Sequence, residues 1–338
     1  MSDKPDRNLA MELVRVTEAA ALSAAHHMGM GDKEAGDQAA VDSMRAVLDT
    51  ISMDGTVVIG EGEKDEAPML YNGEKVGSGS PPAVDVAVDP VEGTRLLALG
   101  RPNATSVIAI SERDSMWKPG SSLYMKKIVV DRNAKHAIDI SLSTTTNLHR
   151  IAGALGRQVH ELTVFVLDKP RHKELIAEIR QAGARISIQT DGDVVGALMA
   201  AIPGTGVDIL MGTGGTPEGI IAAAAVKALN GGMQAMCDPQ SDAEREKVMA
   251  ELGDDFDKTL TLNDLIKCED AFFAATGITD GPFLEGVHYD RQGGVTTHSI
   301  VIRALSGSMR YIKGVHQLRR GLDLRRLDVR EAVEVATL

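Results

Sequence analysis

Carboxylates recur at one kind of place in this chain, just past an apolar, β-branched run and beside a glycine turn. "TVVIGEGEKDE" reaches Glu61 and Glu63 in this way, and "AVDVAVDPVEGT" reaches Asp89, with Glu92 and the Thr94 hydroxyl inside the next five residues. "ISIQTDGDV" ends on Asp191 and Asp193, and "VDILMGTGGTPEG" leads to Glu218. Another acid, Asp37, and a base, Lys33, stand in "GMGDKEAGD", where one helix-like stretch gives way to the next. In open α/β sheets, ligands bind outside the carboxyl ends of the strands. Each acid taken alone has an ordinary explanation. Asp-Pro after a strand is turn chemistry, "EGEKDE" suits a solvated loop, Asp191 and Asp193 suit an aspartate turn before a helix, and Glu218 complements a helix dipole. Their joint occurrence is what points to a site.

Five of these carboxylates, Asp37, Glu61, Asp89, Glu92 and Glu218, brought within a few ångströms would repel by several kcal/mol per pair at an effective dielectric of ~20. Such a cluster needs hard cations. Oxygen-only ligands favour Mg²⁺ or Mn²⁺ over zinc, and two such ions ~4 Å apart clamp a phosphoryl group and lower the pKa of water. Lys169 and Arg171 in "LDKPRHKELI" are by type an ordinary surface pair, but with the amides around Gly215 they could hold a second, non-reacting phosphate. The implied substrate is a small, doubly anionic phosphate ester. Along "AVDVAVDP" the pleat puts Val84, Val86 and Val88 on one face and Asp85, Ala87 and Asp89 on the other. Asp85 is then placed to support Asp89, and Pro90 to end the ladder.

The elements that position these residues read as α/β. Leu9, Leu13, Val16 and Ala20 recur at helical steps over 8–28, and Val41, Met44, Leu48 and Ile51 share one face of a second helix from about Glu34. A short strand over 56–59 follows. Residues 161–232 alternate strand and helix, which predicts parallel pairing, with Gly183 as a helix stop, a glycine-rich loop after a strand over 207–211, Thr216 as N-cap and Pro217 at the first helical position. The acidic stretch 238–258 reads as a solvated helix or excursion. A boundary is expected near residue 155, where the alternation becomes regular, giving an N-terminal metal-binding α/β domain over 1–155 and a C-terminal α/β substrate domain over 156–318, followed by an extension over 319–338.

Composition narrows the classes. The 338 residues suffice for about two ordinary domains, and 43 % hydrophobic content supports packed cores. A formal charge of −12, from 36 Lys plus Arg against 48 Asp plus Glu, argues against a nucleic-acid binder. Cys237 and Cys268 share no metal-type spacing, and no run of about 18 apolar residues occurs, so a soluble, cytoplasmic protein without a membrane partner is expected.

The stretches "GDKEAGDQAAVDSMR", "DGTVVIGEGEKDEAPMLYNGEKVG", "DVAVDPVEGT", "YMKK", "LDKPRHKELI", "TDGDV", "GTGGTPEG" and "ATGITDG" occur here in the order in which a known family carries them. By them the chain resembles the class II, or GlpX-type, fructose-1,6-bisphosphatases of the lithium-sensitive phosphatase superfamily. The resemblance implies a layered α-β-α-β-α sandwich. It implies that Asp37 and Glu61 hold one divalent ion, Mn²⁺ or Mg²⁺, that Asp89, Glu92 and Glu218 hold a second, and that Thr94 orients the attacking water. Glu92, Gly93, Thr94, Tyr124, Lys169, Pro170, Arg171, Asp191, Gly192, Asp193 and Gly215 would line the substrate, with Lys33 and Glu63 beside the first metal. The implied activity is hydrolysis of the 1-phosphate of fructose 1,6-bisphosphate in gluconeogenesis, by a homo-oligomer, dimer or tetramer. A dual enzyme that also takes sedoheptulose 1,7-bisphosphate is the alternative, an inositol-type monophosphatase is a third reading that Lys169 and Arg171 disfavour, and a non-catalytic, metal-dependent sugar-phosphate sensor is the reading from a different class. Thr213 and Thr216 depart from the apolar residues of the family at those places.

Overall fold

Helical spacing of apolar residues forms the first two elements. In α1 (Leu9–Ala25) nearly every residue from Leu13 on is buried. In α2 (Lys33–Leu48) the Asp32 side chain accepts from the Ala35 N–H at 3.0 Å and caps the first turn, while Val41, Met44 and Leu48 turn inward. The computed structural model describes residues 9–60, 70–290, 294–317 and 333–335. After α2 come β1 (Asp54–Ile59), β2 (Lys75–Val76), β3 (Ala83–Glu92), α3 (Thr94–Ala98) and β4 (Thr105–Glu112). The middle of the chain supplies β5 (Tyr124–Val130), α4 (Thr144–Leu155), β6 (Thr163–Leu167), α5 (Lys173–Gln181), β7 (Arg185–Gln189), α6 (Val194–Ala201), β8 (Ile209–Gly215) and α7 (Thr216–Ala228). Then follow β9 (Gly232–Cys237), α8 (Asp242–Leu252), β10 (Leu260–Thr261) and α9 (Leu262–Leu265), and finally β11 (Ala271–Gly277), β12 (His288–Tyr289), β13 (Gly294–Arg303) and β14 (Ser308–Gln317).

Two compact units result. One comprises Met1–Ser115 and Asp270–Leu338, the other Met116–Glu269. Residue 155, where the onset of regular strand–helix alternation suggests a boundary, is the last of α4, inside the second unit.

The sheet of the first unit runs β12-β13-β11-β4-β3-β1-β2, with β14 also on β13. Among the described residues only β1 and β3 pair in parallel there. One face packs against α1 and α2, where Leu13, Leu22 and Met44 meet Val86, Ile108 and Phe272. Each such side chain contributes about 1.5–3 kcal/mol by leaving water. The sheet of the second unit runs β10-β9-β5-β8-β6-β7. The parallel pairing read from the sequence is present where β6 meets β7 and β8, whereas β5 pairs antiparallel with β8 and β9. On one face α4 and α5 bury Leu148, Ile151 and Ile179 against Ile128, Val164 and Ile209. The buried helix α6 packs against β5, β6 and β8, and α7 against β5, β8 and β9. The fold is thus α/β, with two mixed sheets. Among the described residues no helix is long and apolar enough to cross a membrane.

Two local expectations are corrected. Pro90 does not end the strand: β3 continues to Glu92, and the register jumps from Asp89↔Val107 to Glu92↔Thr105. Pro90 and Val91 lie opposite Ser106 alone, a bulge, where the N–H that proline lacks is not needed by the ladder. The glycine-rich stretch after 211 is likewise strand, because β5 pairs with every residue of β8 as far as Gly215. Gly215 is therefore the N-cap and Thr216 the first helical residue, with its hydroxyl 3.3 Å from that of Ser122.

Candidate active site

The expected site residues fall in both units. Lys33, Asp37, Asp89, Glu92, Gly93 and Thr94 belong to the first; Tyr124, Lys169, Pro170, Arg171, Asp191, Gly192, Asp193, Gly215 and Glu218 belong to the second. Glu61 and Glu63 lie outside the described residues. Among the described residues no three His, Cys, Asp or Glu side chains are gathered closely enough to hold an ion.

In the first unit the bulge sets the geometry. It turns Glu92 inward, where the residue is 2 % exposed and Oε2 accepts from the Thr105 hydroxyl at 3.1 Å. Gly93 follows with φ 87°, a left-handed conformation that L side chains rarely adopt, and an added Cβ would also stand 3.0 Å from Leu96 Cδ1. The turn closes as Leu96 and Leu97 donate their N–H groups to the Gly93 carbonyl at 2.7 and 3.1 Å. Thr94 donates to the Val91 carbonyl at 3.3 Å, which fixes its hydroxyl at the start of α3. The loop before α2 is tied to the other end of α3, since Gly29 N donates to Leu97 O and Gly31 N to Ala98 O, both at 2.9 Å. Lys33 and Asp37, one turn apart on α2, thus have a fixed relation to Thr94. Burial pushes the Asp37 carboxyl up to about 6.

Asp85 does not support Asp89. Four residues of strand separate their Cα atoms by ~13 Å, and the Asp85 carboxylate accepts from the Ser115 N–H at 3.0 Å and faces Arg113 Nε at 3.8 Å. It anchors the opposite end of β3.

In the second unit a buried ion pair organises the strand ends. Lys127 Nζ lies 2.7 Å from Asp193 Oδ2, with the two side chains 2 % and 8 % exposed, and donates to the Gly215 carbonyl at 3.1 Å. Asp193 precedes α6 but makes no side-chain cap, because its carboxylate is used by Lys127. Two glycines make room for these groups: a Cβ on Gly214 would overlap Asp193 Oδ2, and one on Gly215 would overlap Glu218 Oε2. That oxygen of Glu218 is buried with no hydrogen-bond partner among the described residues. Burial, then the Asp193 charge, pushes the Glu218 carboxyl up, and Lys127 opposes them.

The basic residues of the same unit are held less deeply. Lys169 Nζ is 3.3 Å from Asp191 Oδ1, and Pro170 opens a short turn over Pro170–His172. Arg171 Nε donates to the Thr213 carbonyl at 2.9 Å while its guanidinium lies over the Tyr124 ring, 5.0 Å from the centroid. Gly192, with φ 81°, turns the chain between Asp191 and Asp193.

Two organising residues escaped the sequence. Lys127 carried a signal, a second lysine in "YMKKIVV" on the inward side of the pleat. His172 carried none. Its Nε2 accepts from the Thr213 N–H at 2.7 Å, so Nδ1 carries the proton and donates to the Leu167 carbonyl at 2.7 Å. Burial holds its pKa below the usual 6.5. The imidazole braces the Arg171 turn against β8. Thr213 adds a bond to Asp238 Oδ2 at 2.5 Å, which gives this departure from an apolar residue a structural role.

Residues 7–316 match the family model described as bacterial fructose-1,6-bisphosphatase, glpX-encoded. The chain belongs to this family. It is 44 % identical over 327 residues to fructose-1,6-bisphosphatase 1 class 2 of Escherichia coli K12, covering 93 % of this chain and 96 % of that protein. Fructose-1,6-bisphosphatase class 2 proteins of Escherichia coli O6:H1 and Shigella flexneri match with the same identity and coverage.

Proposed function

We propose that the protein is a phosphoric monoester hydrolase that removes the 1-phosphate of fructose 1,6-bisphosphate to give fructose 6-phosphate and phosphate. Family membership supports the substrate. The observation that carries the chemistry is the buried Glu218 oxygen without a hydrogen-bond partner, on a carboxyl whose ionisation burial opposes. A buried anion needs a cation, and Asp37, also desolvated, needs one for the same reason. By chemistry the donors suit hard divalent ions, since all are carboxylate oxygens: Asp37, Glu61, Asp89 and Glu92 of the first unit would hold metal, and so would Glu218 of the second. Mn²⁺ or Mg²⁺ bound there would neutralise phosphoryl charge and activate water.

The protein's own groups do the rest. Thr94, immobilised by Val91, orients the attacking water. Glu92, fixed by Thr105, stands beside that position. Lys127 and Asp193 set where the Glu218 carboxylate stands. Arg171 is held by Thr213 and Tyr124 and, with Lys169, takes the phosphate that does not react, so only one end of the sugar is hydrolysed. Much of the barrier reduction for so slow a hydrolysis must come from positioning and charge.

Phosphate release by Glu92→Gln and Thr94→Ala tests these roles. Both variants are expected to lose at least about 100-fold in kcat while their unfolding curves stay close to the parent's. Near-normal turnover in both rejects the assignment.

A further inference from the structure

The acidic stretch after β9 folds as α8, and most of this helix faces water: of its 11 residues only Glu244 and Val248 are buried. A surface helix has no apolar reason to bury a carboxylate. Glu244 is buried because both its oxygens are bonded. Oε1 accepts from the Leu123 and Tyr124 N–H groups at 2.8 and 3.1 Å, and Oε2 from the Gln240 N–H at 2.9 Å. Bonds of this kind, with the acceptor charged, are roughly twice as strong as neutral ones. Two turns further along the same face, the Glu251 carboxylate accepts from the Ser121 N–H at 2.8 Å and from the Ser121 hydroxyl at 2.5 Å. Two acids of α8 therefore grip residues 121–124, the approach to β5. That approach is also tied to two strand ends: the Leu123 carbonyl accepts from the Thr216 N–H at 2.9 Å, where α7 starts, and the Tyr124 carbonyl from the Asp238 N–H at 3.0 Å, just past β9. Tyr124 is the residue whose ring lies under the Arg171 guanidinium.

We infer that Glu244 is a positioning residue for substrate recognition: through the Leu123 and Tyr124 amides it fixes the Tyr124 ring, and through that ring the Arg171 guanidinium that takes the non-reacting phosphate. This rests on the proposal that Arg171 has that task. Removing the carboxylate leaves two adjacent backbone N–H groups without their acceptor, and the approach to β5 must shift for them to reach another. The ring shifts with it. Stacking of a cation on an aromatic face depends on their overlap, so Arg171 then keeps the Thr213 carbonyl but loses its platform. What suffers is the hold on the distant phosphate, so the effect falls on affinity rather than on turnover.

Three substitutions test this. Glu244→Ala removes the acceptor, Glu244→Gln keeps one oxygen for the β5 amides but turns an NH₂ group toward Gln240, and Arg171→Met removes the guanidinium. KM and kcat for fructose 1,6-bisphosphate are measured in the parent, in each single variant and in the Glu244→Ala, Arg171→Met double variant. Hydrogen exchange of the Leu123 and Tyr124 amides records the brace itself. In Glu244→Ala, KM should rise at least about fivefold with kcat within about twofold of the parent, and exchange of both amides should quicken. Glu244→Gln should raise KM by a smaller factor, at least about twofold, and it carries the same comparison if the alanine variant does not fold. On top of Arg171→Met, Glu244→Ala should add less than about twofold, because the two residues act in series. An unchanged KM in the Glu244 variants overturns the inference, as does a loss carried by kcat or a KM effect that multiplies with that of Arg171→Met. Faster exchange of the two amides in Glu244→Ala, beside an Arg171→Met variant with the parent's KM, would leave the brace standing and refute the reading of Arg171 alone.

Discussion

Replacing Lys127 by methionine isolates the interaction that organises the strand ends of the second unit. The ammonium is 2.7 Å from Asp193 Oδ2 and 3.1 Å from the Gly215 carbonyl, and neither charged side chain reaches water appreciably. Methionine fills most of the same volume, so the loss is chiefly electrostatic: Asp193 is left as a buried charge without its counter-ion. Breaking a buried pair from one side costs about 3–5 kcal/mol. At about 2–4 °C per kcal/mol for a unit of this size, the midpoint should fall by about 6–20 °C. Adding Asp193→Asn should return most of that loss, because no lone charge then remains buried. Thermal and urea unfolding of the two variants, followed by circular dichroism, measures both effects. A drop below about 1 kcal/mol in Lys127→Met, or no recovery in the double variant, refutes the reasoning. Lys127 also restrains the Glu218 pKa, so the single variant should make Glu218 still harder to ionise.

His172 predicts a pH dependence. Its folded pKa lies below the ordinary 6.5, so the unfolded chain takes up a proton that the folded chain resists. This contribution to stability is complete above pH 6.5 and is lost as the pH falls toward the depressed folded value. Urea midpoints at about pH 7.5 and about pH 5.5 should differ less in His172→Gln than in the parent, and equal differences would remove the histidine from the account. Gly214→Ala should cost about 1–3 kcal/mol, because its Cβ would overlap Asp193 Oδ2 and stand 2.9 Å from Lys127 Nζ. An unchanged melting midpoint would show that the ion pair has room to move.

How much could be read from the chain follows from how local each signal is. α1 and α2 were legible because apolar spacing is a property of the helix itself, and Gly183, with φ 92°, does close the turn after α5. The course of β3 past Pro90 and of β8 through Gly212, Gly214 and Gly215 was not legible. Proline and glycine are local breakers, and what overrides them here is strand pairing, with the following strand β4 for β3 and with β5, distant in sequence, for β8. The acids at strand ends announced themselves by type and position. Which partner each takes did not, since Asp85 on Ser115 and Asp193 on Lys127 are settled by tertiary contacts. His172 is the extreme case: a histidine in a basic surface-like stretch proves to be a neutral brace, and only the carbonyl and N–H on either side of its ring say so.

Phosphate release from fructose 1,6-bisphosphate, assayed after exhaustive chelation and again after Mn²⁺ or Mg²⁺ is added back, tests the central claim most directly. If carboxylates as desolvated as Asp37 and Glu218 exist to hold divalent ions, release falls to background in chelator and returns with the metal. Undiminished release from the chelated protein would contradict the account.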